Sequence, residues 1–222
     1  FLLAGEFMNA GGLPRRIVHL AMAWVGHFRG GLGYVAVIAA VIMASLSGPA
    51  VADPAALAAL LIPMMRQAGY GVPRSAGLIA AGGIIAPVIP PSIGMIIFGV
   101  AGNVSITKLF LAGIVPGILM GAAIGLSWWW VARRGNVLPA PRLPMPERLR
   151  ITANGGWAIA LPIVILGGMK FGVFTPTEAA VVAAVYSFAV GMFIYRELKL
   201  KDLSGLLLAA GKTRSVGMFL VA

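Results

Sequence analysis

Long apolar runs, interrupted at a few points by glycine, proline and short basic loops, set the pattern of this chain. Phe1–Met8 reads as the end of one apolar helix, and Asn9–Leu13 (NAGGL) as a turn. From Pro14 to Arg29 the apolar residues include Ile17, Leu20, Ala21 and Trp24, with Arg15, Arg16, His19, His27 and Arg29 elsewhere. That spacing predicts an amphipathic helix lying in a membrane interface, with Trp24 at headgroup depth. Leu32–Met64 is nearly uncharged, and its only charged residue is Asp53. One span needs roughly 20 residues and two need about 40 plus a turn, so the run is long for one and short for two. A re-entrant helical hairpin fits, with SGPAVADP as its tip. Arg66–Arg74 predicts a polar loop, Ser75–Gly102 an interrupted span, and Asn103–Lys108 a short loop. Leu109–Val131 is a clean span ending in an aromatic belt, Trp128 to Trp130. Ile151–Met169 and Phe174–Tyr195 predict two more spans, and Arg196–Arg214 another interfacial helix.

Gly83–Gly99 (GIIAPVIPPSIGMIIFG) organises the rest. Its ends are apolar, and its middle holds Pro87, Pro90, Pro91, Ser92 and Gly94. Proline removes a backbone donor and clashes with the preceding turn, so two in a row stop a helix. In hydrocarbon each orphaned N–H or C=O costs several kcal/mol, so such a break survives where protein buries it or where it lines a polar cavity. Transporters use interrupted helices in this way to hold ions and substrates at mid-membrane. A plain proline kink is the simpler reading. The second polar interruption, Ser45–Pro54, favours a site made from both.

Composition fixes the class. The 222 residues are 60% hydrophobic and 10% charged, with a mean hydropathy of +0.97. That is an all-α polytopic membrane protein. The net charge of +11 comes from basic residues in short loops, which is the positive-inside pattern and not a nucleic-acid face. If Leu32–Met64 returns to its starting side, every lysine and arginine except Lys108 and Lys170 lies in the cytoplasm. A single crossing would mix the sides. Two short, tilted full spans satisfy the same count as a re-entrant hairpin. No cysteine is present, which excludes disulfides and thiolate metal sites. The apolar beginnings and endings suggest an internal fragment, with Val216–Ala222 opening a further span.

Four regions follow: 1–31, the end of a span plus an interfacial arm; 32–131, the hairpin, the interrupted helix and the next span; 132–150, a cytoplasmic loop rich in proline and arginine; and 151–222, scaffold-like spans with an interfacial helix.

Asp53 reads as a helix N-cap followed by Pro54, either as a cap alone or as a cap that also serves the site. Thr175-Pro176-Thr177-Glu178 matches a capping box, which makes Glu178 structural. Glu6 lies near a helix end. His19 and His27 are interfacial, with no third metal ligand nearby. Gly117, Gly121 and Gly125, spaced by four, suit close helix packing. Enzyme chemistry has no footing: there is no paired intramembrane aspartate, HExxH, GxSxG or Walker A loop. Pumping would therefore draw on an ion gradient or on a separate subunit.

AGEFMNAGGLPRR, VGHFRGGLGYV, SGPAVADPAALAALLIPMM, PVIPPSIGMIIFGV, LFLAGIVPGILMG, GGMKFGVFTPTEAAVVAAVY and YRELKLKDL closely resemble the large membrane subunit of tripartite ATP-independent periplasmic (TRAP) transporters. The resemblance spans nearly the whole chain. It implies an ion-transporter-superfamily fold of two inverted repeats, each with a re-entrant hairpin and a broken helix, moving as an elevator in the bacterial inner membrane. It implies sodium as the coupling ion and no other cofactor. The implied partners are a small four-helix membrane subunit and a periplasmic binding protein that delivers a carboxylate such as a C4-dicarboxylate or a sialic acid.

By position, the resemblance places a sodium site on Ser47, Gly48, Ala50, Pro90, Ser92 and Gly94, largely through backbone carbonyls, with Pro91 in the break. Ser47, Gly48, Asp53 and Ser92 fall to the substrate. The sequence departs from the family at Pro49, commonly serine, and at Ala81–Ile85 (AGGII), where a run rich in serine and threonine is usual. The second repeat is outside this chain. A non-transporting membrane scaffold, with the breaks serving packing alone, is the contrasting expectation.

Overall fold

The structure is a computed structural model that describes residues 1–47, 52–133 and 141–221. Among these residues every regular element is helical. The order is α1 (Leu2–Ala10), α2 (Leu13–Val25), α3 (Gly31–Ser47), α4 (Ala52–Gln67), α5 (Val72–Gly83), α6 (Ile93–Ala101), α7 (Ile106–Arg133), α8 (Met145–Lys170), α9 (Pro176–Ala189) and α10 (Leu203–Val221). A π-helical turn, Val190–Ile194, extends α9. Among the described residues three stretches are long and apolar enough to cross a membrane: Ile106–Arg133, Met145–Lys170 and Pro176–Ile194.

The core sits on α3. Its buried residues Val35, Ala36, Ala39, Ala40 and Met43 recur with the helical period and form one face. Leu57, Leu61 and Met65, one turn apart on α4, close over the same core. Helices α3 and α4 pack on each other and on α5, giving the expected helical hairpin. Gly82 brings α5 against α3 so closely that a Cβ there would lie 2.8 Å from Ala40 Cβ.

Four expectations are corrected. The apolar stripe of α2 is covered by protein: Leu13, Ile17, Val18, Leu20 and Ala21 are buried, and the helix packs on α3 and α8. Its amphipathicity therefore serves helix packing, and Trp24 donates from Nε1 to Thr152 Oγ1 at 2.9 Å. Trp128 does not belong to an exposed belt. It is buried, and its Nε1 donates to the Gly30 carbonyl at 2.9 Å, docking the start of α3 on the end of α7. Only Trp129 and Trp130 stay exposed. Finally, α10 runs without a break from Leu203 to Val221, so no boundary separates an interfacial helix from a following span. Glu6 lies in the middle of α1 rather than near its end.

The capping box is present as read. Thr175 Oγ1 accepts from Glu178 N–H at 3.3 Å, Glu178 Oε2 accepts from Thr175 N–H at 2.7 Å, and Pro176 opens α9. Glu178→Gln keeps the reach-back acceptor, so the melting temperature of the full-length subunit should be retained. A clearly lower melting temperature with intact expression would show that the carboxylate's charge is needed.

At the far end of α9 the π turn redirects the chain. Gly191 O accepts from both Glu197 N and Leu198 N, and Glu197 Oε1 meets Arg16 Nη1 at 2.7 Å. The Arg16 guanidinium also lies 3.8 Å over the Tyr195 ring, whose hydroxyl donates to Asn154 O. Burial pushes the Tyr195 phenol up to about 12, so it remains a neutral donor at physiological pH. This junction ties the α1–α2 corner to α8 and α9.

Candidate functional site

Helix α5 ends at Gly83, and α6 begins only at Ile93. Between them a run of turns replaces the helix, and the Pro90–Pro91 peptide is cis. Ile84, Ile85 and Ala86 N–H groups bond three residues back, and Val88 and Ile89 N–H groups both donate to Ile85 O. Beyond that point the ladder stops. Among the described residues the carbonyls of 86–91 receive no backbone hydrogen bond. A row of carbonyls like this can offer hard oxygen ligands to a cation.

Ser92 restarts the helix. It is 1% exposed, its Oγ accepts from Met95 N–H at 3.5 Å, and its carbonyl accepts from Ile96 N–H at 3.2 Å. The Oγ bond is long for a cap, so the hydroxyl retains acceptor capacity. Pro90 is fully buried. Gly94 has room: a Cβ there would meet only Ser92 Oγ, at 3.6 Å.

The break packs on the tip end of the hairpin. Ile85, Ala86 and Ile89 form a buried cluster with Ala44, flanked by Val41, Met120 and Ile124. Helical rise explains the match in height. Ala44 stands about 20 Å along α3 from Gly31, and α5 climbs about 18 Å before it stops. Thus the break lies level with the last turn of α3, where the second interruption singled out in the sequence begins. Ser47 closes α3, while Gly48, Pro49 and Ala50 lie outside the described residues. Asp53 is 3% exposed and sits in the first turn of α4, which begins at Ala52. The helix therefore starts two residues earlier than the cap reading expects, with the carboxylate still at its positive end.

Helix α7 covers the other side of the break through a glycine face. A Cβ on Gly117 would collide with the Ile89 side chain, and one on Gly113 with the Val88 carbonyl and the Met95 side chain. At Gly121 it would lie 2.8 Å from Val41 Cγ2. Gly117 and Gly121 thus act as expected. Gly125 does not, having nothing within 4 Å. Gly113, four residues before Gly117, belongs to the same face.

A helical hairpin set level with an interrupted helix, beside helices long enough to cross a bilayer, defines a polytopic helical membrane protein whose paired breaks form one candidate site. Residues 1–222 match the family described as tripartite ATP-independent periplasmic transporter, DctM component, and the chain belongs to that family. It is 60% identical over 222 residues to a 2,3-diketo-L-gulonate TRAP transporter large permease protein of Escherichia coli K12, covering all of this chain and 52% of that protein. It is 42% identical over 222 residues to a C4-dicarboxylate TRAP transporter large permease protein of Pseudomonas aeruginosa, again covering 100% and 52%. Identity to a sialic acid TRAP transporter permease protein of Haemophilus influenzae is 42% over 206 residues, 91% of this chain and 33% of that one. The chain spans about half the length of the first two relatives.

Proposed function

We propose that the chain is part of the large permease subunit of a sodium-coupled secondary transporter that imports an organic acid. The observation that carries this reading is the row of unbonded carbonyls at 86–91, held against the tip end of a helical hairpin. A bilayer tolerates such a break where it serves a site. Sodium, a hard cation, takes the carbonyls of the break, with Pro90, Ser92 and Gly94 on one side and Ser47, Gly48 and Ala50 of the tip on the other. The N-terminal end of α4, beginning at Ala52, favours an anionic substrate group.

The substrate is a polyhydroxylated or keto sugar acid. Support comes from the 60% identity to a relative named for 2,3-diketo-L-gulonate, against 42% for relatives named for C4-dicarboxylates and sialic acid. A small four-helix membrane subunit and a periplasmic binding protein complete the system in the inner membrane. The hairpin is re-entrant and moves with the interrupted helix as an elevator.

The test is uptake of labelled 2,3-diketo-L-gulonate into proteoliposomes holding the full-length permease and its partner subunits. An inward sodium gradient should drive accumulation, and choline in place of sodium should abolish it. Accumulation indifferent to sodium would remove the coupling, and no uptake of any organic acid would favour the scaffold reading.

Topology has its own test. Gly30 is a poor cysteine site, since its φ is +77° and a Cβ would meet Ala132. Phe28 is exposed and Gly71 has open space. Phe28→Cys and Gly71→Cys should react with an impermeant thiol reagent from the cytoplasmic side alike. Reaction from opposite sides would mean that α3 and α4 together cross only once.

A further inference from the structure

Arg148 lies in the second turn of α8 and is 5% exposed, yet its Nε and Nη2 meet no acceptor. Few groups are as costly to bury as an unpaired guanidinium. Nearby stands the corner between α2 and α3. Trp24 Nε1 bonds Thr152 Oγ1, and the Thr152 hydroxyl donates to Arg148 O at 2.8 Å, which pins that corner to the start of α8. His27, three residues past Trp24, has a buried Nδ1 that is also without a partner. Desolvation, then the Arg148 and Arg142 guanidiniums, hold the His27 imidazole below its ordinary value, so the positive charge beside it is that of the two arginines.

Among the described residues no carboxylate bonds Arg148 Nε or Nη2. Glu197 is paired with Arg16. Glu178 is committed to its cap, and Glu147, next to Arg148, is exposed. Residues 134–140 (RGNVLPA) contain no acid. The surroundings are those of a membrane surface. Phe28, Met145 and Leu149 are exposed apolar side chains, and the charge pattern puts these arginines on the cytoplasmic side.

We propose that the α2–α8 corner binds the phosphate of an anionic phospholipid from the cytoplasmic leaflet, with Arg148 Nε and Nη2 as the buried donors and His27 and Arg142 beside them. Exposed Phe28, Met145 and Leu149 take the acyl chains. Anionic headgroups are concentrated in that leaflet, and basic pockets between spanning helices select them. The lipid neutralises Arg148 and fixes α2 on α8.

The experiment uses the purified full-length permease in mild detergent, titrated with dioleoyl phosphatidylglycerol, dioleoyl phosphatidylcholine or inorganic phosphate, with melting temperature and native mass spectrometry as readouts. Phosphatidylglycerol should raise the melting temperature and remain bound in the spectrum, and phosphatidylcholine should do neither. Arg148→Gln should raise the half-saturating phosphatidylglycerol concentration by roughly tenfold. Exposed Arg142, whose removal does not disturb the core, should give a several-fold increase as Arg142→Gln, and this variant decides the matter if Arg148→Gln does not fold. Unchanged half-saturation in the folded variants would overturn the proposal. So would inorganic phosphate acting as well as phosphatidylglycerol, which would leave a free-anion site. Stabilisation that needs the small membrane subunit and not the lipid would assign Arg148 to a protein partner, and would also overturn it.

Discussion

Gly117→Leu should abolish sodium-driven uptake and destabilise the full-length permease. The side chain has nowhere to go, because even a Cβ at Gly117 collides with Ile89, and Ile89 is clamped between α7 and Ala44 of α3. Overpacking a filled core costs about 1–3 kcal/mol. Here the strain falls on the residue next to Pro90, so the carbonyls of the break are displaced as α7 is pushed away. Each 1.4 kcal/mol lost from the ion-binding geometry weakens affinity about tenfold. Gly113→Ala should do likewise, since its Cβ meets the Val88 carbonyl, a backbone atom that cannot swing aside. Gly125→Ala is the control. It lies on the same helix at the same spacing, but with nothing within 4 Å, and uptake and melting should match the wild type. A functional Gly117→Leu would show that the break is not held by α7.

Ser92→Ala should raise the sodium half-saturation of uptake by roughly tenfold, while melting without sodium changes little. The side chain is buried, and its one hydrogen bond, to Met95 N–H, is 3.5 Å long. A good N-cap is worth about 1 kcal/mol, and a bond of that length contributes less. A hydrogen-bonding group that meets a charge is worth roughly 1.5–3 kcal/mol, so the loss falls on the ion-bound state. Sodium dependence unchanged in Ser92→Ala would take the hydroxyl out of the site and leave only backbone carbonyls there.

The features legible in the sequence have local causes. Pro90-Pro91 stops a helix whatever surrounds it, so the interruption and the restart of the helix after Ser92 could be placed from Gly83–Gly99 alone, whereas the end of α5 at Gly83, seven residues before Pro90, could not. The capping box at Thr175–Glu178 was legible for the same reason, since all its partners lie within one turn. What remained hidden depends on contacts between distant segments. The stripe of α2 looks the same whether lipid or protein covers it, and only the packing of α3 and α8 decides. Trp128, Trp129 and Trp130 form one run, but the rotation of α7 turns the first into the core toward Gly30 and leaves the other two outside.

Arg148 stands in a loop-like, proline-rich stretch that reads as solvated. Its burial follows from α8 beginning at Met145, well before the apolar run at Ile151. The level match of Ala44 with Ile85 and Ile89 needed the fold, although two interruptions near the middle of adjacent apolar runs already pointed to it.

The claim that the break holds the coupling ion is tested most directly by sodium binding to the purified full-length permease, without substrate or partners. Melting temperature is followed as sodium chloride replaces choline chloride at constant ionic strength. The account predicts a saturable rise with sodium alone, moved about tenfold to higher concentration by Ser92→Ala and left in place by Gly125→Ala. Identical melting in sodium and choline across the whole range would contradict it.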